Sequence, residues 1–274
     1  NSHLAINAAR EALKNAKLDP HDVDLIIVAT ISPDTSFPSV ACLVQKALHA
    51  RRATAFDISA ACSGYLYGIT TAKQFIQNGL YKNALVVASE KISTYIDWND
   101  RSTCVLFGDG AGACVLSKVP GDRGIIADYL HAEGHFGELM EIISKERKSC
   151  DQTVKTMDLP RISMQGKELF KAAVNSMAHA ALTVIKKAGM KLSDIDWVIP
   201  HQANDRILSA VAKKLDLPKE KVFVNIDKYG NMSSASTAVA LYEAVEQGKI
   251  KRGDNVVLVT FGAGLVSAAN VVKW

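Results

Sequence analysis

Two stretches decide the fold: AAREALKNAKLDPHDVDLIIVAT, residues 8–30, and ALTVIKKAGMKLSDIDWVIPHQA, residues 181–203. Each reads as an amphipathic helix, a turn holding an aspartate, and a hydrophobic strand. Asp24 matches Asp196 at an offset of 172 residues. IQNGLYKNALVVAS (76–89) then matches VEQGKIKRGDNVVLVT (245–260), with Gly79 against Gly248 at an offset of 169. A near-constant offset over successive elements points to one α/β unit present twice, in residues 1–150 and 151–274.

The pattern predicts strands at Leu25–Thr30, Thr54–Ile58, Ala84–Ser89, Ala111–Leu116, Trp197–Pro200, Lys221–Ile226, Asn255–Thr260 and Ser267–Lys273. Helices are predicted at 2–17, 38–48, 63–78, 166–188, 203–214 and 233–247. Alternating strands and helices imply mixed, mainly parallel sheets. The second half reads as the more complete, so the first is expected to lack an edge element. The polar segment KERKSCDQTVKT (145–156) reads as a linker or flap.

Composition narrows the function. Of 274 residues, 48% are apolar and 22% charged, as in ordinary globular proteins. No apolar run approaches the length of a membrane span. The opening SHLAINAAREALKNAK is a helix pattern, not a secretory signal. The chain begins at Asn1 and not at methionine, and so reads as a fragment or a trimmed chain. Cys42, Cys62, Cys104, Cys114 and Cys150 are odd in number and scattered, without a Cys-x-x-Cys pair. That argues against a disulfide framework or a zinc site and for a reducing cytoplasm. The net charge of +4, 32 basic against 28 acidic residues, is too small to imply nucleic-acid binding.

Chemistry-bearing residues fall at strand–helix junctions, where α/β sheets gather ligands. In DISAACSGYLYG (57–68), Cys62 follows a strand and heads a helix. The unpaired N–H groups there favour the thiolate, and small neighbours admit a substrate; a buried structural cysteine is the competing reading. His201 ends a strand in PHQAN, and Asn231 sits in YGNMSSAS, where a plain turn residue is the alternative. On a duplicated scaffold, Cys62, His201 and Asn231 converge where the halves meet. LFGDGAGACV (106–115) continues into a strand, so it reads as close backbone packing and not as a dinucleotide loop. FGAGLVSAANVV (261–272) places glycines between strands, a candidate oxyanion hole. Arg206, Lys213 and Lys214 share one helical face, with Lys167 and Lys171 on another helix; a solvated face is the alternative.

AFDISAACSGYLYGI, DRSTCVLFGDGAGA, VIPHQANDRILSAVAKKL and KYGNMSSAS together resemble the β-ketoacyl-acyl-carrier-protein synthase III family, in family order from about residue 2 to the C-terminus. The resemblance implies the duplicated thiolase fold, layered α-β-α-β-α. It implies an acyltransferase that starts fatty acid synthesis: an acyl-CoA, with acetyl-CoA the expected primer, loads the nucleophile Cys62. Decarboxylative condensation with malonyl-acyl-carrier-protein then gives the 3-oxoacyl product, CoA and CO2. His201 and Asn231 resemble the pair that holds the malonyl thioester carbonyl. Backbone N–H groups of Cys62 and of the Gly262-Ala263-Gly264 turn would form the oxyanion hole. Phe37 resembles a residue that a dimer partner inserts into the acyl pocket, and Arg101 a CoA contact. Arg206, Lys213, Lys214 and Lys171 match a carrier-protein surface. A cytoplasmic homodimer using acyl-CoA as substrate, with no metal or other cofactor and no nucleic-acid or membrane partner, is the expectation.

Two features depart from the family. Roughly forty N-terminal residues are lacking, among them a first strand and a Trp and an Arg that grip the CoA adenine end. The usual Gly-Gly-Gly turn with a following Trp is replaced by Ala263 and Ser267. Three rivals remain: a papain-type cysteine hydrolase, which would lack the duplication; a related condensing enzyme of secondary metabolism; and a non-catalytic scaffold.

Overall fold

A computed structural model describes residues 1–143 and 160–274. The segment KERKSCDQTVKT, Cys150 and the proposed 150/151 boundary lie outside the described residues. Two four-stranded sheets dominate. The first has the order β2-β1-β3-β4, from β1 (Leu25–Ala29), β2 (Thr54–Ile58), β3 (Asn83–Lys91) and β4 (Asp109–Ser117). The second has the order β5-β10-β9-β8, from β5 (Gly124–Ala132), β8 (Trp197–Pro200), β9 (Asn255–Gly262) and β10 (Val266–Lys273). A hairpin of β6 (Met140–Ile143) and β7 (Arg161–Met164) stands apart.

The duplication extends to strand register. Leu25 pairs with Ala84, and Trp197 pairs with Val256, each residue 172 positions after its counterpart. Side chains repeat as well: Asn83 Nδ2 donates to Asp22 O at 2.9 Å, and Asn255 Nδ2 to Asp194 O at 2.8 Å. Asp24 Oδ2 accepts from Asn83 N at 3.1 Å, and Asp196 Oδ2 from Asn255 N at 2.8 Å. In both copies an aspartate caps the start of the central strand, which accounts for its place in the sequence pattern.

Three apolar cores make five layers. Helices α1 (Ser2–Ala16) and α2 (Val40–Leu48) cover the outer face of the first sheet around Leu13, Ile26 and Val44. Helices α3 (Gly64–Gln77) and α7 (Ala235–Glu246) fill the space between the sheets with Leu66, Ile69 and Ala238. Helices α4 (Gly166–Lys187) and α5 (Asp205–Lys214) close the second sheet over Met177, Val184 and Val211. Burial on both faces makes the central strands continuous apolar runs, LIIVA in β1 being the plainest.

Two expectations are corrected. Lys221–Ile226 is not a strand: Val222 forms a single bridge to Val198, and the chain then turns into the short helix α6 (Ile226–Tyr229). Gln202 supplies what a ladder would have, donating to Phe223 O at 3.2 Å and accepting from Asn225 N at 3.0 Å. Strand β5 lies within the predicted first half but pairs antiparallel with β10, so it belongs to the second sheet. The second sheet thereby gains an edge strand outside β10, whereas β4 has no such neighbour among the described residues.

Candidate active site

The sheet ends and two middle-layer junctions meet at a cavity of about 240 Å3 lined by Cys62, His201, Asn231, Phe107, Phe261 and Gly262, among others. All three predicted reactive residues are on its wall. Cys62 stands in a 3-10 turn (Ala61–Ser63) that leads from β2 into α3. Ala61 takes φ +44°, a left-handed conformation that alanine seldom adopts, and the chain reverses sharply there. Small residues let this elbow approach its neighbours: a Cβ on Gly64 would meet Ala29 Cβ at 3.0 Å, and one on Gly262 would lie 2.7 Å from Cys62 N.

His201 continues the β8 ladder through its N–H to Val259 O at 2.8 Å, which fixes its backbone at the strand tip. Its ring is buried, and Nδ1 has no hydrogen-bond partner among the described residues. Burial lowers its pKa to about 3, so the imidazole is neutral near pH 7. Asn231 is zipped against the 106–108 strand of chain: Asn231 N donates to Leu106 O at 2.8 Å and Gly108 N to Asn231 O at 3.0 Å. A Cβ on Gly108 would come within 2.1 Å of Tyr229 O, so the glycines of LFGDGAGACV serve close packing beside the site. Asn231 Oδ1 accepts from Ser233 N at 2.8 Å. A backbone N–H can only donate, so the amide oxygen must face Ser233 and the amino group remains for the cavity.

The thiol departs from expectation. Burial pushes the Cys62 pKa up to about 12; the Ser233 hydroxyl beside the thiol opposes the rise and the Glu90 carboxyl adds to it. Desolvation outweighs the helix N-terminus, and Cys62 rests as a thiol rather than a thiolate.

The remaining predicted residues are spread wider. Arg206 lines the cavity mouth at the start of α5, while Lys213 and Lys214 are exposed at its end. Lys214 Nζ bonds Asn175 Oδ1 on α4. Lys171 is exposed on α4 and borders a separate groove with Tyr129 and His179. Ala263 is not among the cavity residues; its neighbour Gly262 is the one that abuts Cys62 N. Phe37 does not reach this chain's own cavity and is 86% exposed. Arg101 is exposed outside the cavity, on a loop whose Asp100, Ser102 and Thr103 border an adjoining cleft. That cleft shares Met164 and Gly166 with the cavity. Sequence reading missed the apolar walls, Met140 and Met164 of the hairpin and Leu169 and Phe170 of α4; these carry no local signal beyond hydrophobicity. Of the other thiols, Cys42 is exposed and Cys104 and Cys114 are partly buried.

Comparison with known proteins completes the description. Residues 56–134 match the family model described as 3-oxoacyl-[acyl-carrier-protein (ACP)] synthase III, and residues 185–274 match its C-terminal model. The chain is similar to a beta-ketoacyl-[acyl-carrier-protein] synthase III of Clostridioides difficile, 51% identical across all of this chain and 83% of the relative. It is similar to another of Caldanaerobacter subterraneus, 48% identical with the same coverage. The crystal structure of 3-oxoacyl-[acyl-carrier-protein] synthase III from Aquifex aeolicus superposes with a TM-score of 0.93 at 48% identity, covering all of this chain and 84% of that one.

Proposed function

We propose a division of labour among the cavity residues of this chain, which belongs to the 3-oxoacyl-[acyl-carrier-protein] synthase III family. It is a condensing acyltransferase with the thiolase fold and carries out the initiating condensation of fatty acid synthesis. The observation that carries the residue assignment is the meeting of Cys62, His201 and Asn231 on one cavity wall.

In the first half-reaction, Cys62 Sγ attacks the carbonyl of an acyl-CoA, expected to be acetyl-CoA. The bond to the CoA sulfur breaks, and the thiol proton leaves with CoA. A thiol held at about pKa 12 gives up its proton only as it attacks, and the departing CoA sulfur is the group that ends with it. The N–H of Cys62, which a side chain at position 262 would block, donates to the tetrahedral oxyanion. In the second half-reaction, the malonyl group loses CO2 and the electron pair becomes an enolate. The His201 N–H and the Asn231 amino group donate to its oxygen without adding a competing nucleophile. The enolate carbon then attacks the Cys62 thioester, the C–S bond breaks, and a 3-oxoacyl-acyl-carrier-protein leaves. Apolar walls such as Phe170 and Leu106 keep water from quenching the carbanion.

The acyl carrier protein docks along α5, on Arg206 at its start and Lys213 and Lys214 at its end, with Lys171 on the neighbouring α4. CoA approaches by the cleft near Arg101. The working form is a cytoplasmic homodimer in which Phe37, too exposed for a buried aromatic role in its own chain, enters the partner's acyl pocket. No cofactor beyond the acyl-CoA substrate enters this scheme. Among the described residues, no helix is long and apolar enough to cross a membrane.

Intact mass after mixing the chain with acetyl-CoA tests the scheme. One added acetyl group, abolished in Cys62→Ala, is expected. An acetyl group retained in Cys62→Ala would overturn the assignment of the nucleophile.

A further inference from the structure

Glu90, in β3, is 0% exposed although it carries a carboxyl group, and it is not among the cavity residues. Its two oxygens bind different parts of the fold. Oε2 accepts from Ser32 Oγ at 2.6 Å, Ile31 N at 3.1 Å and Thr30 Oγ1 at 3.2 Å, all just beyond β1. Oε1 accepts from Ser234 Oγ at 2.9 Å and Ser233 Oγ at 3.1 Å. These serines follow Asn231, so one side chain ties the first sheet to a turn contributed by the second half.

The turn needs holding. Ser233 has φ +50°, in the left-handed region that residues with a Cβ seldom occupy. Its N–H is the donor that sets the Asn231 amide, at 2.8 Å. A shift of Ser233 would therefore rotate or release the amino group that faces the cavity.

We propose that Glu90 is a positioning residue: by accepting the Ser233 hydroxyl it holds the left-handed turn, and thereby aims the Asn231 amino group at the enolate oxygen. The inference rests on the role given above to Asn231. It assigns Glu90 no contact with substrate.

Glu90→Leu removes the tie to Ser233, whereas Glu90→Gln reverses it without breaking it. Ile31 N can only donate, so the amide oxygen must stay on that side and the amino group takes the place of Oε1. There its two hydrogens can go to Ser234 Oγ and to Ser233 Oγ, with the Ser234 hydrogen turning to Ala29 O at 3.1 Å, so the tie to Ser233 survives with its direction reversed. Ser233→Ala cuts the same link from the other end and leaves Glu90 its other partners. Single-turnover decarboxylation of malonyl-acyl-carrier-protein is the readout, alongside acetyl loading of Cys62 and thermal unfolding.

Glu90→Leu and Ser233→Ala are each expected to lose about 10- to 100-fold in decarboxylation, the scale of a misplaced catalytic group, and Glu90→Gln to stay within about threefold of wild type. The double variant should be no worse than the poorer single one. Wild-type decarboxylation in a folded Glu90→Leu enzyme, losses that multiply in the double variant of Glu90→Leu with Ser233→Ala, or a loss in Glu90→Gln as deep as that in Glu90→Leu would each overturn the proposal. If Glu90→Leu does not fold, Ser233→Ala decides alone, and full decarboxylation there overturns the link. Asn231→Ala separates the two levels: if it decarboxylates like wild type, the site reading falls and Glu90 has nothing to aim. If it is impaired while Ser233→Ala is not, only the Glu90 inference falls.

Discussion

An alanine at position 262 would place its Cβ 2.7 Å from Cys62 N, 3.2 Å from Ser63 N and 3.2 Å from Ala61 Cβ. Ordinary contact begins at 3.4 Å, so the closest approach falls short by about 0.7 Å (3.4 − 2.7). None of the three atoms can swing aside, since two are backbone and the third is a Cβ. Strand β9 lies between β8 and β10, and the elbow is pressed against Ala29 through Gly64, so neither partner yields alone. The displacement falls on the N–H proposed to hold the oxyanion, which works only within a window of about 0.4 Å. A misplacement near 1 Å costs about 100-fold, so Gly262→Ala should load acetyl groups on Cys62 on the order of 30- to 100-fold more slowly. Overpacking should also cost about 1–3 kcal/mol of stability. Quenched-flow intact mass gives the loading rate and urea unfolding the stability. Gly134→Ala, with nothing within 4 Å of its Cβ, serves as the control and should match wild type. A folded Gly262→Ala enzyme loading at the wild-type rate would refute the idea that this contact sets the nucleophile.

Two further outcomes follow from the site. His201 is neutral in the folded state down to about pH 3, whereas an unfolded histidine takes a proton near 6.5. The unfolded chain therefore binds more protons below that value, and stability is lost as pH falls, by about 2 kcal/mol between pH 7 and pH 5. Urea melts of wild type and His201→Gln at both pH values should differ by this amount; equal losses would contradict it. Phe37, 86% exposed, should govern self-association, so Phe37→Asp is expected to shift the chain toward monomer in sedimentation. A wild-type chain that is already monomeric would sink the dimer proposal.

The duplication was legible because it rests on local pattern. Helix period, the aspartate that caps each central strand and the apolar runs of β1 and β9 all recur in the linear chain. The meeting of Cys62, His201 and Asn231 at one cavity was legible for a related reason: each ends or follows a recognisable element, and the repeat says which ends coincide. Strand β5 was not legible, because an edge strand declares its sheet only by the partner it meets, and its partner β10 lies more than 130 residues away. The segment 221–226 has strand composition, but Gln202 took the hydrogen bonds that a strand would have made.

The ionisation of the site was decided by tertiary structure alone. A cysteine at a helix head reads as a thiolate, yet enclosure by the second sheet removes the water that would stabilise the charge, and the thiol is retained. Glu90 looks like a stray acid at the end of LVVASE, and only the folding of Ser233 and Ser234 onto it supplies the donors that let it be buried. Spacing along the chain determined the helices and inner strands of the repeated unit and the residue types that stand at their ends. Charge state and side-chain orientation depend on solvent exclusion and on partners far away in sequence, which exist only once the two halves have packed together.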